Sequence, residues 1–290
     1  MSTRAERRAE RRDEATSGRR SLVSGALVVL LVPGMIAGFI LLRDDGGGDT
    51  TERDPARAQA PATTVTTSPA TVATAPPTTT KAPFTYTIAE STVPDIQVFD
   101  SPEATTPTRS FQHPWHVNDD PNEPTVPLVF LVEEQRDDGW LRVLLPVRPN
   151  GSTGWVRASD VKTVETRFHV SVELAAHRIT VYDGESVVLQ EPVAIGKPDT
   201  PTPPGRYFIR VLLESGGATG PYGPFAYGLS AHSDVLTSFN GGDGEVGIHG
   251  NNDASVLGQS VSAGCVRMSN DGITRLTGML PLGTPVEIVA

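Results

Sequence analysis

Residues 21–42, SLVSGALVVLLVPGMIAGFILL, contain no charged side chain, and no other feature restricts the folds open to this chain so strongly. At the helical rise of 1.5 Å per residue such a stretch reaches roughly 33 Å, enough to cross a hydrocarbon core. One transmembrane helix is therefore expected at 21–42. Pro33 is compatible with it, because proline is tolerated in membrane helices more readily than in soluble ones. Residues 1–20 carry seven arginines against four acids, and Asp44 and Asp45 follow the apolar run. The positive-inside rule then predicts a cytoplasmic tail at 1–20, a single pass through the cell membrane, and everything after residue 42 on the extracellular, cell-wall side. A cleaved signal peptide is the alternative, and it too would place the remainder outside.

The exported part divides by composition. Residues 43–83 are rich in Thr, Ala and Pro with little apolar bulk, so they cannot bury enough surface to offset the entropy of ordering. They read as a linker, which if fully extended would reach on the order of 100 Å. From Phe84 the pattern turns globular. Residues 84–165 show short strand-like runs and one clear hairpin, in which Asn150-Gly151 suits a turn needing positive φ. A small all-β barrel is expected. At GWLRVLLPVRPNGSTGWVRASDV, residues 139–161, this region resembles the bacterial SH3-like modules that accompany cell-wall enzymes. The acid pairs Asp119-Asp120, Glu133-Glu134 and Asp137-Asp138 read as solvated surface, since neighbouring acids lack the convergence a metal requires.

Residues 166–290 form a second domain, long enough for its own core. RFHVSVEL and HRITVYDGESVVLQEPVAI alternate apolar and polar residues, with Asp183-Gly184 as a hairpin turn. The chain ends on another strand, TPVEIVA. Only SNDGITRLTGMLPLG reads as helix: Ser269 or Asn270 caps it, Ile273, Leu276 and Leu280 share a face, and Gly283 ends it. The expected class is thus mainly β, with one short helix. A net charge of −10 and no basic stripe make a poor surface for nucleic acid.

VSAGCVRMS, residues 261–269, holds the only cysteine of the chain. Outside the membrane a single thiol has no intramolecular disulfide partner and is open to oxidation, so its retention favours use, with a buried inert cysteine as the bland alternative. Ser262 and Gly264 allow a sharp turn and close approach of a substrate backbone. Arg267 and the helix that follows would favour the thiolate if they lie near the sulfur. A thiol nucleophile needs a base, and the six histidines all precede the cysteine, which excludes the papain-like order. His249, in GEVGIHGNN between Gly247 and Gly250, is the leading candidate.

GIHGNNDASVLGQSVSAGCVRMSND resembles the signature of the L,D-transpeptidase (YkuD-type) family: a His-Gly pair followed by Ser-His-Gly-Cys, an aliphatic residue, Arg and another aliphatic residue. TPTPPGRYFI, residues 200–209, is similar to the family's upstream Thr-Pro-Thr-Pro-x-Gly stretch. The resemblance covers 166–290. It implies a β-rich catalytic domain in which Cys265 attacks, His249 is the base, the Gly250 carbonyl orients the imidazole, and Arg267 supports the loop or the substrate. Backbone amides around Gly264 and Cys265 are the implied oxyanion donors. The implied substrates are peptidoglycan stem peptides, a tetrapeptide donor and an amine acceptor, joined between their third residues. Carbapenems are implied covalent inhibitors, and the chemistry requires no metal or organic cofactor.

One position departs from the pattern. Ala263 stands where the family usually has His, and His232 is the nearest candidate to take over part of that role. The alternatives are an L,D-carboxypeptidase, in which water replaces the acceptor, a non-catalytic wall-binding scaffold with a decayed site, and a zinc protein using His232, His249 and Cys265.

Overall fold

The computed structural model describes residues 84–117, 121–215, 217–238 and 242–290, together with the backbone of Val28 and Val29. Most of the expected membrane helix at 21–42, the tail at 1–20 and the whole of the linker at 43–83 lie outside the described residues. Within the expected span, Val28–Val29 form a two-residue strand antiparallel to Leu213 and Glu214. At these two residues the backbone is extended rather than helical, which suits β-branched valines beside a strand with free backbone groups. Among the described residues no helix is long and apolar enough to cross a membrane.

Residues 84–166 make an all-β module. Its main sheet has the order Val161–Thr166, Tyr86–Ser91, Val129–Gln135, Trp140–Leu144, Thr153–Arg157, every neighbour antiparallel. The expected hairpin is present: Leu144 pairs with Thr153, and Gly151 takes φ +80° in a turn closed by Ser152 N–H on the Pro149 carbonyl. Two short ribbons, Asp95–Val98 with Arg109–Gln112 and Trp115–His116 with Thr125–Val126, complete it. Where they are described, Glu134, Asp137 and Asp138 lie at the surface as expected, Glu134 meeting Arg142 and Asp138 meeting Arg136, whereas the Glu133 side chain is only 16% exposed and meets Arg206.

One residue, Arg167, separates the last strand of this module from the first strand of the next sheet. That second sheet runs Ser186–Pro192, Arg178–Asp183, Phe168–Glu173, Pro285–Val289, Gly205–Glu214, Phe225–His232, Glu245–His249, Val266–Arg267. The first and last strands of the domain, Phe168–Glu173 and Pro285–Val289, lie side by side in parallel. The Arg178–Asp183 hairpin turns at Gly184-Glu185, with Gly184 at φ +61°, one residue later than expected. Strand alternation buries Val170, Val172, Ile179, Val181, Ile248 and Val266 on one face, over which Asn270–Thr277, the one α-helix among the described residues, lays Ile273 and Leu276.

That helix is shorter than its pattern predicts. Ser269 caps it, its Oγ accepting the Gly272 N–H at 2.9 Å, but it stops at Thr277 with Gly278 as C-cap. Pro281 disfavours helical backbone at the residue before it, so Leu280 reaches the core from a turn instead of from the helix.

The module and the larger sheet share apolar contacts. Phe208 clusters with Ile88, Val129, Leu131 and Leu144, and Val211 with the module core. Gly283, at φ +87°, leaves no room for a Cβ, which would lie 2.3 Å from Ile88 Cγ2.

Candidate functional site

The strands Glu245–His249 and Val266–Arg267 run parallel, Ile248 against Val266 and His249 against Arg267. Side chains alternate along a strand. With Val246, Ile248, Val266 and Met268 committed to the core, residues 247, 249, 265 and 267 must face the other way. The sheet therefore brings Cys265, His249 and Arg267 to one face, where Gly247 lies opposite the cysteine.

His249 is 3% exposed. Its Nδ1 lies 2.6 Å from the Gly250 carbonyl oxygen, which can only accept, so the proton sits on Nδ1 and Nε2 is left as the free acceptor. Burial pushes the imidazole down to about 4, against the Gly250 hydrogen bond and with help from the nearby Arg267 charge. A neutral ring is thus held in one tautomer, with the Tyr222 ring packed edge-on at 4.8 Å. Gly250 has to be glycine here: a Cβ would lie 2.4 Å from Asn270 Oδ1, the atom that accepts the Asn251 N–H.

Cys265 is half-buried and unpaired. Burial raises its thiol, opposed by the Gly247 N–H, which donates to Sγ at 3.4 Å, and by Arg267. The resting pair is consequently a neutral thiol with a neutral imidazole. Arg267 Nε is buried and has no hydrogen-bond partner among the described residues, so the guanidinium acts on both groups through its charge.

Two expectations are corrected by this geometry. The helix N-terminus does not serve the sulfur: the Glu191 carboxylate occupies it, accepting from Ser269 N–H at 2.8 Å and Ser269 Oγ at 3.0 Å. The Gly264 N–H is not available to an oxyanion either. It donates to Ser262 Oγ at 3.1 Å, and that hydroxyl donates in turn to the Cys265 carbonyl at 2.6 Å. The Cys265 N–H remains without a partner among the described residues. Gly264 sits at φ +119°, a backbone shape that glycine alone enters freely.

The turn before the cysteine is braced by residues whose part in it sequence reasoning did not assign. Thr202 Oγ1 accepts the Gly196 N–H at 2.9 Å and donates to the Gly264 carbonyl at 2.8 Å, and Thr200 Oγ1 donates to the Ser262 carbonyl at 3.2 Å. Both belong to the TPTPPG stretch, so the signal was present in the sequence and only its purpose was not. Tyr222 had no such signal.

His232 is 1% exposed and pairs in register with Glu245, at the far end of the strand from His249. Its Nε2 lies 3.0 Å from Asp243 Oδ2, and burial lowers its pKa. Among the described residues the only set of donors close enough to share a metal is His232, Asp243 and Glu245; the zinc set of His232, His249 and Cys265 is not assembled. Arg210 pairs with Glu245, and Arg210 and Arg148 both act on His232 by charge, which makes that cluster a poor host for a dication.

Residues 167–288 match the YkuD family, the L,D-transpeptidase catalytic domain. The YkuD protein of Bacillus licheniformis is 32% identical over 154 residues, covering 51% of this chain and 85% of that protein. The chain belongs to the YkuD family. YkuD of Bacillus subtilis is also 32% identical, over 121 residues, 42% of this chain and 65% of that protein, just under two thirds of its length. Among solved structures, L,D-transpeptidase 3 from Mycobacterium tuberculosis, in complex with a faropenem-derived adduct, is similar at 17% identity and TM-score 0.36, over 50% of this chain and 76% of that one. The YkuD match begins at Arg167, so the module before it lies outside the matched family domain.

Proposed function

We propose that this protein is a cysteine-dependent L,D-transpeptidase of peptidoglycan. The observation that carries the reading is the His249 ring, fixed by its Nδ1 contact of 2.6 Å to Gly250 on the face that also carries Cys265. As Cys265 Sγ attacks the carbonyl of the third residue of a tetrapeptide stem, its proton passes to His249 Nε2. The Cys265 N–H is the oxyanion donor. The C–N bond to the terminal D-alanine then breaks, His249 returns the proton to the departing nitrogen, and a thioester remains on Cys265. A side-chain amine from the third residue of a second stem attacks that thioester, loses a proton to His249 and releases the thiol, leaving a cross-link between third residues. Water in place of the amine gives an L,D-carboxypeptidase. Carbapenems acylate the same sulfur.

The proposal places the catalytic domain outside the cell, anchored by residues 21–42. The charge-free run and the seven arginines before it support this. Bilayer insertion and the pairing of Val28–Val29 with Leu213 and Glu214 exclude each other, and cell fractionation separates them: recovery with the membrane supports the anchor, and soluble full-length protein overturns it.

Mass spectrometry after incubation with a disaccharide-tetrapeptide, with Cys265→Ala in parallel, tests the chemistry. A cross-linked dimer made only by the native protein is the expected result. Tripeptide alone moves the assignment to carboxypeptidase. Unchanged tetrapeptide sinks the catalytic reading and leaves the wall-binding scaffold, which Ala263 motivates.

A further inference from the structure

Arg148 and Asn150 lie in the hairpin connection of the module, between Trp140–Leu144 and Thr153–Arg157. Both reach into the larger sheet. The Arg148 guanidinium donates to the carbonyls of Ser233 (2.6 Å), Leu236 (3.0 Å) and Asp243 (2.6 Å). Asn150 brackets the backbone of His232: its Oδ1 accepts the N–H at 2.9 Å and its Nδ2 donates to the C=O at 2.7 Å. Ser233 N–H closes the base of the same connection on the Gly244 carbonyl at 2.9 Å. Apart from a longer contact of Asn150 Nδ2 with Asp234 Oδ1 at 3.5 Å, these side-chain contacts fall on main-chain groups, so they hold a path of backbone.

The place where they act is the weak point of the site. Between Phe225–His232 and Glu245–His249 the pairing shifts register, Gly228 standing against Gly247 but His232 against Glu245. The extra residues on one strand interrupt the ladder there. On its other side, among the described residues, Glu245–His249 pairs only with Val266 and Arg267. Beyond the shift the Glu245 end of the strand is tied to His232 and, through the Ser233–Gly244 bond, to the connection whose backbone Arg148 and Asn150 hold. Gly247, two residues on, is the residue whose N–H faces Cys265 Sγ.

We infer that Arg148 and Asn150 are positioning residues for the nucleophile: through the backbone around 232–243 they fix the strand Glu245–His249, and with it the Gly247 N–H directed at Cys265. The inference rests on Cys265 being the reactive group, and it makes the module a working part of the site in addition to whatever it binds. Arg267 is the charged group that acts on the sulfur, and His249 is the titratable group on the neighbouring strand; neither is altered by the variants below.

The experiment is the pH profile of iodoacetamide alkylation at Cys265, followed by mass spectrometry. The native protein is compared with Arg148→Ala, Asn150→Ala and Asn150→Asp, with Arg206→Ala as control. Only the thiolate reacts. Losing the Gly247 hydrogen bond should lower the rate at pH 7.5 roughly three- to tenfold while the plateau at high pH stays within about twofold. Asn150→Asp keeps the acceptor for His232 N–H but sets a carboxylate oxygen against the His232 carbonyl and the Asp234 carboxylate, and should move the profile at least as far as Asn150→Ala. Arg206 meets Glu133 across the same junction at 3.1 Å without touching 232–243, and should leave the profile in place. Profiles that superimpose on the native one overturn the inference, as does an equal shift in Arg206→Ala or faster alkylation at every pH. No peptidoglycan substrate enters the assay, so a protein without transpeptidase turnover would still decide it.

Discussion

Replacing His249 by Asn should remove a specific part of the protein's sensitivity to acid. His249 is held at about 4 against an ordinary value of 6.5, chiefly by burial. Its folded-state affinity for a proton is lower than in the unfolded chain, so between those two values the unfolded state binds more protons and stability rises with pH. Read downward, the stability associated with a neutral His249 is intact above about 6.5 and drains away as pH falls toward 4. Between pH 7 and pH 4.5 the loss amounts to about 2 kcal/mol. With the side chain 3% exposed, no discount for solvent screening applies. Asn at 249 does not titrate and can still donate to the Gly250 carbonyl from the position of Nδ1. Urea unfolding followed by circular dichroism at the two pH values gives the comparison directly, since every other group titrates alike in both proteins. The native protein should lose about 2 kcal/mol more than the variant. Equal losses, within about 0.5 kcal/mol, would refute the claim that His249 is buried neutral. In the same terms, the acid limb of donor acylation in the native protein should follow a group near 4, well below an ordinary histidine.

Thr202→Val strips the Gly196 N–H and the Gly264 carbonyl of a shared partner; it should cost about 1–3 kcal/mol in urea unfolding and slow carbapenem acylation of Cys265 by mass spectrometry. Gly250→Ala forces a Cβ to 2.4 Å from Asn270 Oδ1 and 3.0 Å from Gly223 Cα, and because it displaces the carbonyl that orients His249, acylation should fall at least about tenfold. Gly283→Ala meets both a positive φ of +87° and Ile88 Cγ2 at 2.3 Å; thermal unfolding should show a loss of about 2 kcal/mol or more, with the alkylation profile of Cys265 unmoved.

What was legible in the sequence was local. Alternation located the strands Phe168–Glu173, Arg178–Asp183 and Pro285–Val289, and Ser269 announced its helix through a cap within one turn. Cys265 and His249 could be named from a motif because a short segment carries both. Their shared face also follows from a period of two, once the strands are known to be neighbours. What failed depended on partners distant in the chain. Glu191 takes the helix N-terminus from 78 residues away, and Arg148 and Asn150 contact the backbone of 232–243 across 82 to 95 residues. No periodicity records such contacts. The hairpin turn at Asn150-Gly151 was foreseen for its positive φ, a property of one residue. Its second use, as the knuckle that grips the next domain, depends on a surface that exists only after both sheets have folded. The expected oxyanion donors show the same limit at short range: small residues around the cysteine marked an accessible backbone, but Ser262 Oγ takes the Gly264 N–H and leaves Cys265's own. In this chain the sequence motif names the candidates Cys265 and His249, while the geometry around them is set by hydroxyl, amide and guanidinium groups on Thr200, Thr202, Ser262, Asn150 and Arg148, whose partners are almost all main-chain atoms and therefore leave little pairing signal in the letters opposite them.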